Sequence, residues 1–127
     1  MAHLLVIDDS ASMRVFLEQT LEAAGHTVVL AGDGRQGLAH LYDARFDLMI
    51  TDIFMPETDG LEMIRDSRAK GIAPRVIAIS SKDAVMNMLP AARLLGADAT
   101  LQKPFTAEQL LAAVAEVLSR PTLNRPA

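Results

Sequence analysis

The fold of this 127-residue chain is most constrained by a regular alternation of short apolar runs with segments of helical periodicity. The runs have the length and composition of buried strands, whereas the segments between them place apolar residues three or four positions apart. Strands that alternate with helices in this way are typical of a parallel sheet covered on both faces. We predict strands at 3–7, 27–31, 47–51, 75–80 and 99–102, and helices at 10–25, 34–44, 60–71, about 90–95 and 106–120.

The composition excludes several classes of protein. Half of the residues are apolar and the formal net charge is −4, which fits a globular domain and argues against a nucleic-acid-binding one. Cysteine is absent, so disulfides and thiolate metal sites are excluded. No apolar run approaches the roughly 18 residues that suggest a membrane span, and the first ten residues reach Asp8 before a signal sequence could form. We therefore expect one soluble cytoplasmic domain over residues 1–119 with a flexible tail over 120–127.

Chemically active side chains stand at the carboxyl ends of four of the five predicted strands. Ligands of open parallel sheets bind at this edge, so we expect these side chains to converge. Clustered carboxylates repel one another, and their hard oxygens are ligands that suit Mg²⁺. The residues are Asp8 and Asp9 after the first strand, Asp52 after the third, Ser80 and Ser81 after the fourth, and Lys103 after the fifth.

Such a pocket can hold a dianionic tetrahedral group, because a metal ion and Lys103 would neutralise its oxygens. Asp52 is the candidate nucleophile, since a carboxylate can form an acyl phosphate. Each residue alone has a simpler interpretation: Asp9 could cap a helix, Asp52 could belong to a turn, Ser80 could be an ordinary loop residue and Lys103 could be solvated surface. Their conjunction at one sheet edge favours a functional site.

Five short motifs in this order resemble the receiver domain of bacterial two-component response regulators. They are "VIDDS" (6–10), "DIFMPETDG" (52–60), "SS" (80–81), "GAD" (96–98) and "KPF" (103–105). The resemblance covers residues 3 to about 119. It implies a flavodoxin-like doubly wound (βα)5 sandwich, with a five-stranded parallel sheet in the order 2-1-3-4-5 and helices on both faces.

The resemblance also implies a role for individual residues of the acidic pocket. Asp52 resembles the phosphoacceptor. Asp8 and Asp9 resemble the pair that holds Mg²⁺, with Asp9 as a direct ligand and Asp8 acting mainly through water; Mn²⁺ is an alternative ion. Asp52 and the backbone carbonyl of Phe54 would complete the protein ligands. The Phe54 side chain is expected to slow hydrolysis of the acyl phosphate by obstructing the attacking water.

Three further residues are assigned by the same resemblance. Ser80 resembles the switch hydroxyl that turns inward to the phosphoryl group, and Lys103 would contact a phosphoryl oxygen. The bond from Lys103 to Pro104 would be cis, an isomer that only bonds to proline adopt cheaply. Thr100 stands where the family usually has an aromatic residue, so we expect loop rearrangement and not ring rotation to carry the signal.

The implied function is a phosphorylation-activated switch that catalyses its own phosphorylation and dephosphorylation. The phosphodonor would be a histidine kinase or a histidine phosphotransfer protein. The downstream protein would bind the face built by the fourth predicted helix, the fifth strand and the fifth predicted helix. Met86, Met88 and Leu89 would anchor it, unless they pack inward as core. We expect a monomer or a weak phosphorylation-dependent dimer, without direct nucleic-acid contact or membrane insertion.

Three alternatives use the same residues. The chain could be a pseudo-receiver that binds its partner without phosphate, or a receiver excised from a longer regulator with an output domain. A haloacid-type phosphatase also forms an aspartyl phosphate, but such enzymes usually place a second acid two residues after the nucleophile. That position is Phe54 here, which disfavours the phosphatase.

Overall fold

The computed structural model describes residues 2–53, 60–81 and 96–120. Within these ranges five strands and four helices follow one another along the chain. The strands are β1 (His3–Ile7), β2 (Thr27–Ala31), β3 (Leu48–Asp52), β4 (Arg75–Ser81) and β5 (Ala99–Lys103). The helices are α1 (Ala11–Ala23), α2 (Gly34–Asp43), α3 (Gly60–Ala69) and the C-terminal helix α4 (Ala107–Ser119). The helix predicted near 90–95 lies outside the described residues.

The five strands form a single parallel sheet in the order β2-β1-β3-β4-β5. The parallel pairing confirms the sheet predicted from the alternation of apolar runs and helices, and the strand order confirms the doubly wound fold that the resemblance implied. β1 and β3 are neighbours at the centre of the sheet, and β4 separates β3 from β5. No helix in the described part of the chain is long and apolar enough to cross a membrane.

The sheet is covered on both faces, and alternate strand residues enter two separate apolar layers. Leu4 and Val6 of β1 pack with residues of α1 and α4, whereas Leu5 and Ile7 pack with residues of α2 and α3. Because both layers are buried, the strands read as nearly continuous apolar runs. The layer at α1 and α4 includes Leu17, Leu21, Leu48, Ile50, Ile79, Leu110 and Val114, and the layer at α2 and α3 includes Leu41, Met49, Met63, Ile64 and Val76.

The same alternation decides which face each strand-end residue joins. Asp8 follows the set of Leu4 and Val6, and Asp52 follows the set of Leu48 and Ile50. Lys103 likewise continues the set of Ala99 and Leu101, which pack against that layer. The three charged residues therefore extend the α1 and α4 face of the sheet beyond its apolar core.

Gly37 allows helix α2 to lie unusually close to the end of β1. A Cβ atom at this position would stand 2.4 Å from Cδ1 of Ile7 and 3.2 Å from Cε of Met63. A glycine inside a helix costs stability relative to alanine, so its presence here reflects the close approach. The close approach leaves no room for a larger side chain between α2 and Ile7, which directly precedes Asp8.

The two ends of α4 are defined by side-chain hydrogen bonds. Thr106 and Gln109 form the capping box that their spacing predicts. At the other end, Arg120 donates to the carbonyl of Asp98 and to Glu116, and its own carbonyl accepts from the guanidinium of Arg75. The sequence prediction counts Arg120 with the flexible tail, whereas the structure binds it to three other residues; 121–127 lie outside the described residues.

Candidate functional site

A single ammonium group joins the ends of three strands. Nζ of Lys103 lies 2.9 Å from Oδ2 of Asp52 and 3.2 Å from Oδ2 of Asp8. Lys103 ends β5, Asp52 ends β3 and Asp8 directly follows β1, so residues that are 51 and 95 positions from Lys103 meet it at one point. The structure thus brings together three of the residues that the sequence predicts at this edge.

Both acidic residues are largely removed from solvent, and each accepts a hydrogen bond from a neighbour, Asp8 at its carboxylate and Asp52 at its backbone carbonyl. Asp8 is fully buried and Asp52 is 6% exposed. Oδ1 of Asp8 accepts the backbone N–H of Ser10 at 2.9 Å, and the hydroxyl of Thr51 donates to the carbonyl of Asp52 at 3.0 Å. Buried charges are tolerated only when they are paired and hydrogen-bonded. Lys103 provides that pairing for both acids.

Burial and neighbouring charge act on the pKa of Asp8 in opposite directions. Burial is the largest influence and raises the pKa, because it disfavours the ionised form. The Ser10 N–H and the charge of Lys103 lower it, while the charge of Asp52 raises it further. The net result is a pKa above the ordinary value of 3.8, so ionised Asp8 costs the folded state free energy.

Burial also acts on Lys103, where it lowers the pKa. The hydrogen bond and charge of Asp52, together with those of Asp8, outweigh burial and raise the pKa above its ordinary value of 10.5. Lys103 is therefore charged at neutral pH. Its contribution to stability is present below the unfolded-state pKa and is lost only as the pH rises through the raised one.

The donor set of the site fits a hard divalent cation. Asp8, Asp9 and Asp52 each offer a carboxylate oxygen, and these oxygens all lie within 4.8 Å of one another. Asp9 is exposed, so the group opens towards solvent on one side. Magnesium prefers a few carboxylate oxygens and retains several waters, which matches this arrangement.

Of the other predicted site residues, the structure describes Ser80, Thr100 and Pro104. Ser80 is 2% exposed and belongs to the alternate set of β4 residues with Ala78, on the opposite face from Asp52. Thr100 is half-buried and pairs with Ala78. The Lys103–Pro104 peptide bond is cis, which is the isomer that the resemblance implied.

Four residues named in the sequence predictions lie outside the described residues. One is Phe54, whose carbonyl is predicted to bind the metal ion and whose side chain is predicted to obstruct attacking water. The others are the predicted anchors of the downstream protein, Met86, Met88 and Leu89.

The structure adds one residue that sequence reasoning missed. Nη1 of Arg14, the fourth residue of α1, donates to the backbone carbonyl of Asp8 at 2.6 Å. A cation near the start of a helix is unfavourable with respect to the helix dipole. The sequence offered no signal for this contact, because the acceptor is a backbone carbonyl and every residue carries one.

The doubly wound sheet and the lysine-bridged acidic edge together define a domain of the receiver class. A sequence model described as the response regulator receiver domain matches residues 4–115. The chain therefore belongs to the receiver-domain family of response regulators.

Individual relatives agree with this assignment. The response regulator MprA of Mycolicibacterium vanbaalenii is 37% identical over 119 residues, and that of Mycobacterium ulcerans is 37% identical over 121 residues. These matches cover 94% and 95% of this chain but 51% and 52% of the relatives, so the chain spans about half the length of these curated relatives.

Solved structures show the same similarity in three dimensions. The chemotaxis protein CheY4 of Vibrio cholerae superimposes with a TM-score of 0.84 at 34% identity, covering 92% of this chain and 98% of that one. The receiver domain of the Francisella response regulator 1452 gives a TM-score of 0.85 at 28% identity, covering 94% and 98%.

The raised pKa of Asp8 predicts that a neutral side chain at this position stabilises the metal-free protein. In buffer with a chelator, Asp8→Asn should raise the thermal unfolding midpoint at pH 7 by a few degrees, because asparagine keeps the acceptor for the Ser10 N–H but carries no charge. The folded state binds the Asp8 proton more tightly than the unfolded state, so the contribution of Asp8 to wild-type stability is lost as the pH rises from 3.8 through the raised pKa.

Thermal unfolding of both proteins between pH 4 and pH 8 checks this prediction, and the difference should widen with pH. Asp43→Asn, which neutralises an exposed acid at the end of α2, is the matched control and should show little pH-dependent difference. Wild-type protein as stable as Asp8→Asn at pH 7 would contradict the assigned cost of the Asp8 charge.

Proposed function

We propose that this chain is a phosphorylation-activated switch in which Asp52 accepts a phosphoryl group from the phosphohistidine of a kinase or phosphotransfer protein. The observation that carries the proposal is the nearly buried Asp52 carboxylate, held 2.9 Å from Nζ of Lys103 beside two further acids. Membership of the receiver-domain family supports it.

The transfer requires little covalent chemistry from the protein. An oxygen of Asp52 forms a bond to phosphorus while the bond from phosphorus to the donor imidazole breaks, and the leaving imidazole takes up a proton. The protein's work is to position the carboxylate and to stabilise charge on the phosphoryl oxygens. Lys103 is a fixed cation at that position, because contacts to two acids orient it.

Asp8, Asp9 and Asp52 would hold the metal ion, and the carbonyl of Phe54 is proposed as a further ligand. Among the described residues, three carboxylates and one ammonium leave two negative charges in the site, which a divalent ion would balance. When bound, Mg²⁺ supplies neutralisation of the carboxylates and of the incoming phosphoryl oxygens. Mn²⁺ accepts the same oxygen ligands.

The signal would leave the site through Ser80 and β5. Ser80 lies on the face opposite Asp52, so bonding to a phosphoryl group requires rotation at the end of β4. Ser81 pairs with Lys103, and α4 begins four residues after Lys103. A change at the pocket therefore has a short path to β5 and α4, which we propose as part of the surface for the downstream protein.

The remaining sequence predictions stay proposals. We propose a receiver domain over residues 1–119 and a tail over 120–127 that is flexible beyond the bound Arg120, acting in the cytoplasm as a monomer or weak phosphorylation-dependent dimer. The curated relatives are about twice as long as the match, so a receiver within a longer regulator is the second candidate. The intact lysine and acid cluster argues against a phosphate-independent pseudo-receiver.

Incubation with acetyl phosphate and Mg²⁺ should add one phosphoryl group to the wild-type chain, seen as a single adduct by intact mass spectrometry. Asp52→Asn should give no adduct, because the nucleophile is lost. Asp43→Asn should be labelled like wild type, since that acid lies at the end of α2 and outside the pocket. An adduct at equal yield on Asp52→Asn would contradict the proposal.

Replacing Lys103 should separate metal binding from phosphoryl transfer. Lys103→Met removes a cation beside the acids, so Mg²⁺ should bind at least as tightly as to wild type. The phosphorylation rate at saturating Mg²⁺ should fall about 10-fold or more, because the phosphoryl oxygens lose a fixed positive partner. Metal titration and phosphorylation kinetics provide the two measurements, and an unchanged rate would remove Lys103 from the transfer step.

Beryllofluoride, which mimics the bound phosphoryl group, should change amide hydrogen exchange in β5, α4 and residues 81–90. Helix α2 should respond little, because it packs on the opposite face of the sheet. Exchange measured by mass spectrometry with and without beryllofluoride tests the output surface, and Asp52→Asn is the control for binding at the pocket. A response confined to α2 and α3 would mean that the surface has been misplaced.

A further inference from the structure

We propose that Arg14 is a positioning residue that fixes the direction of Asp9 and thereby sets the affinity of the acidic site for Mg²⁺. This inference rests on the proposed function, in which Asp9 is a direct ligand of the metal. Arg14 itself would not touch the ion.

The turn between β1 and α1 is held through Asp8 at three points. The N–H of Asp8 donates to the carbonyl of Ala31 at 3.1 Å, and Oδ1 of Asp8 accepts the N–H of Ser10 at 2.9 Å. The third point is the carbonyl of Asp8, which accepts Nη1 of Arg14 at 2.6 Å. Together these contacts leave the main chain at Asp8 little freedom.

The third contact bears directly on Asp9. The carbonyl of Asp8 lies in the planar peptide unit that joins Asp8 to Asp9, so an orientation imposed on this oxygen is imposed on the start of Asp9. The exposed carboxylate of Asp9 accepts no hydrogen bond within the described part of the chain. The backbone therefore sets the position of the Asp9 carboxylate relative to Asp8 and Asp52. The contact of Arg14 with the Asp8 carbonyl restrains that backbone.

The positive charge of Arg14 by itself disfavours its position near the acidic site. A cation beside an acidic metal site weakens metal binding by repulsion, and a cation early in α1 opposes the helix dipole. Nη1 also lies 3.6 Å from where a Cβ atom of Gly32 would stand, so the guanidinium reaches over the end of β2. The local contact with the Asp8 carbonyl accounts for a placement that both electrostatic influences disfavour.

A role through charge alone and a role in positioning the Asp8–Asp9 peptide predict opposite changes in Mg²⁺ affinity when Arg14 is replaced. If Arg14 acts only through its charge, Arg14→Met should bind Mg²⁺ more tightly than wild type. If it holds the Asp8–Asp9 peptide, Arg14→Met should bind Mg²⁺ about 10-fold more weakly, the loss typical of residues that orient metal ligands. The sign of the change therefore decides between the two roles.

The experiment is a titration of the full chain with MgCl2, followed by amide chemical shifts in NMR spectra. Four proteins are compared at a temperature where each is folded: wild type, Arg14→Met, Asp9→Asn and Arg45→Met. Arg45 is an exposed arginine just before β3, at the opposite end of that strand from Asp52. Its replacement removes the same charge without touching the turn and should leave the dissociation constant within about 2-fold of wild type.

A dissociation constant for Arg14→Met that equals or falls below the wild-type value would overturn the inference while leaving the proposed function intact. Wild-type protein that does not bind Mg²⁺, or that binds it no better than Asp9→Asn, would overturn the proposed function and this inference with it. Arg14→Gln is judged by the same criterion if Arg14→Met does not fold. Because affinity is measured on folded protein, a loss of global stability alone does not move the readout.

Discussion

The bridge from Lys103 to Asp52 and Asp8 is the interaction on which the rest of the site depends. Neighbouring strands lie roughly 4.8 Å apart, so β5 is about 10 Å from β3 and about 14 Å from β1. A short side chain on β5 could not reach either acid. The four-carbon stem of lysine spans β4 and delivers one charge to both carboxylates, which is why a lysine and not a hydroxyl residue serves at this strand end.

This bridge compensates the acids only in part. In the part of the chain that the structure describes, one ammonium faces three carboxylates, and the pKa of buried Asp8 remains raised mainly because burial outweighs its partners. The site thus works against the stability of the fold, as functional clusters of charge commonly do. Any cation that binds there relieves repulsion, and linkage makes the folded state more stable in its presence. A metal ion bound at this site would therefore couple to folding stability through the same oxygens.

The sequence was sufficient for the fold because the strands and helices differ in length and apolar period. The five strand predictions agree with the structure to within one residue at each end, and Asp52, predicted to follow β3, is its last residue. The convergence of Asp8, Asp52 and Lys103 also followed from sequence, since parallel strands place their carboxyl ends at one edge. The face of the sheet on which Ser80 lies did not follow from the sequence. A shift of one residue in strand register moves a side chain to the other face.

The contacts of Arg14 and Arg120 could not be predicted for a different reason. Both guanidinium groups donate to backbone carbonyls, one of Asp8 and one of Asp98. Every residue carries a carbonyl, so no pattern of residue types identifies which one an arginine reaches. Only the path of the main chain selects the acceptor. The sequence of this domain therefore does not predict which backbone groups its long polar side chains bind.

The distance along the chain between Lys103 and its partners has a consequence for how the domain is made. During synthesis the two acids of the pocket core emerge before their cation, because Asp52 lies 51 positions and Asp8 lies 95 positions before Lys103. Pairings that close such long loops form late and slowly. An N-terminal fragment that ends before β5 therefore lacks the ammonium that contacts both acids, and the sheet gains its fifth strand and this charge together. Docking of β5 therefore completes the five-stranded sheet and the ion pairs of the acidic edge at the same time.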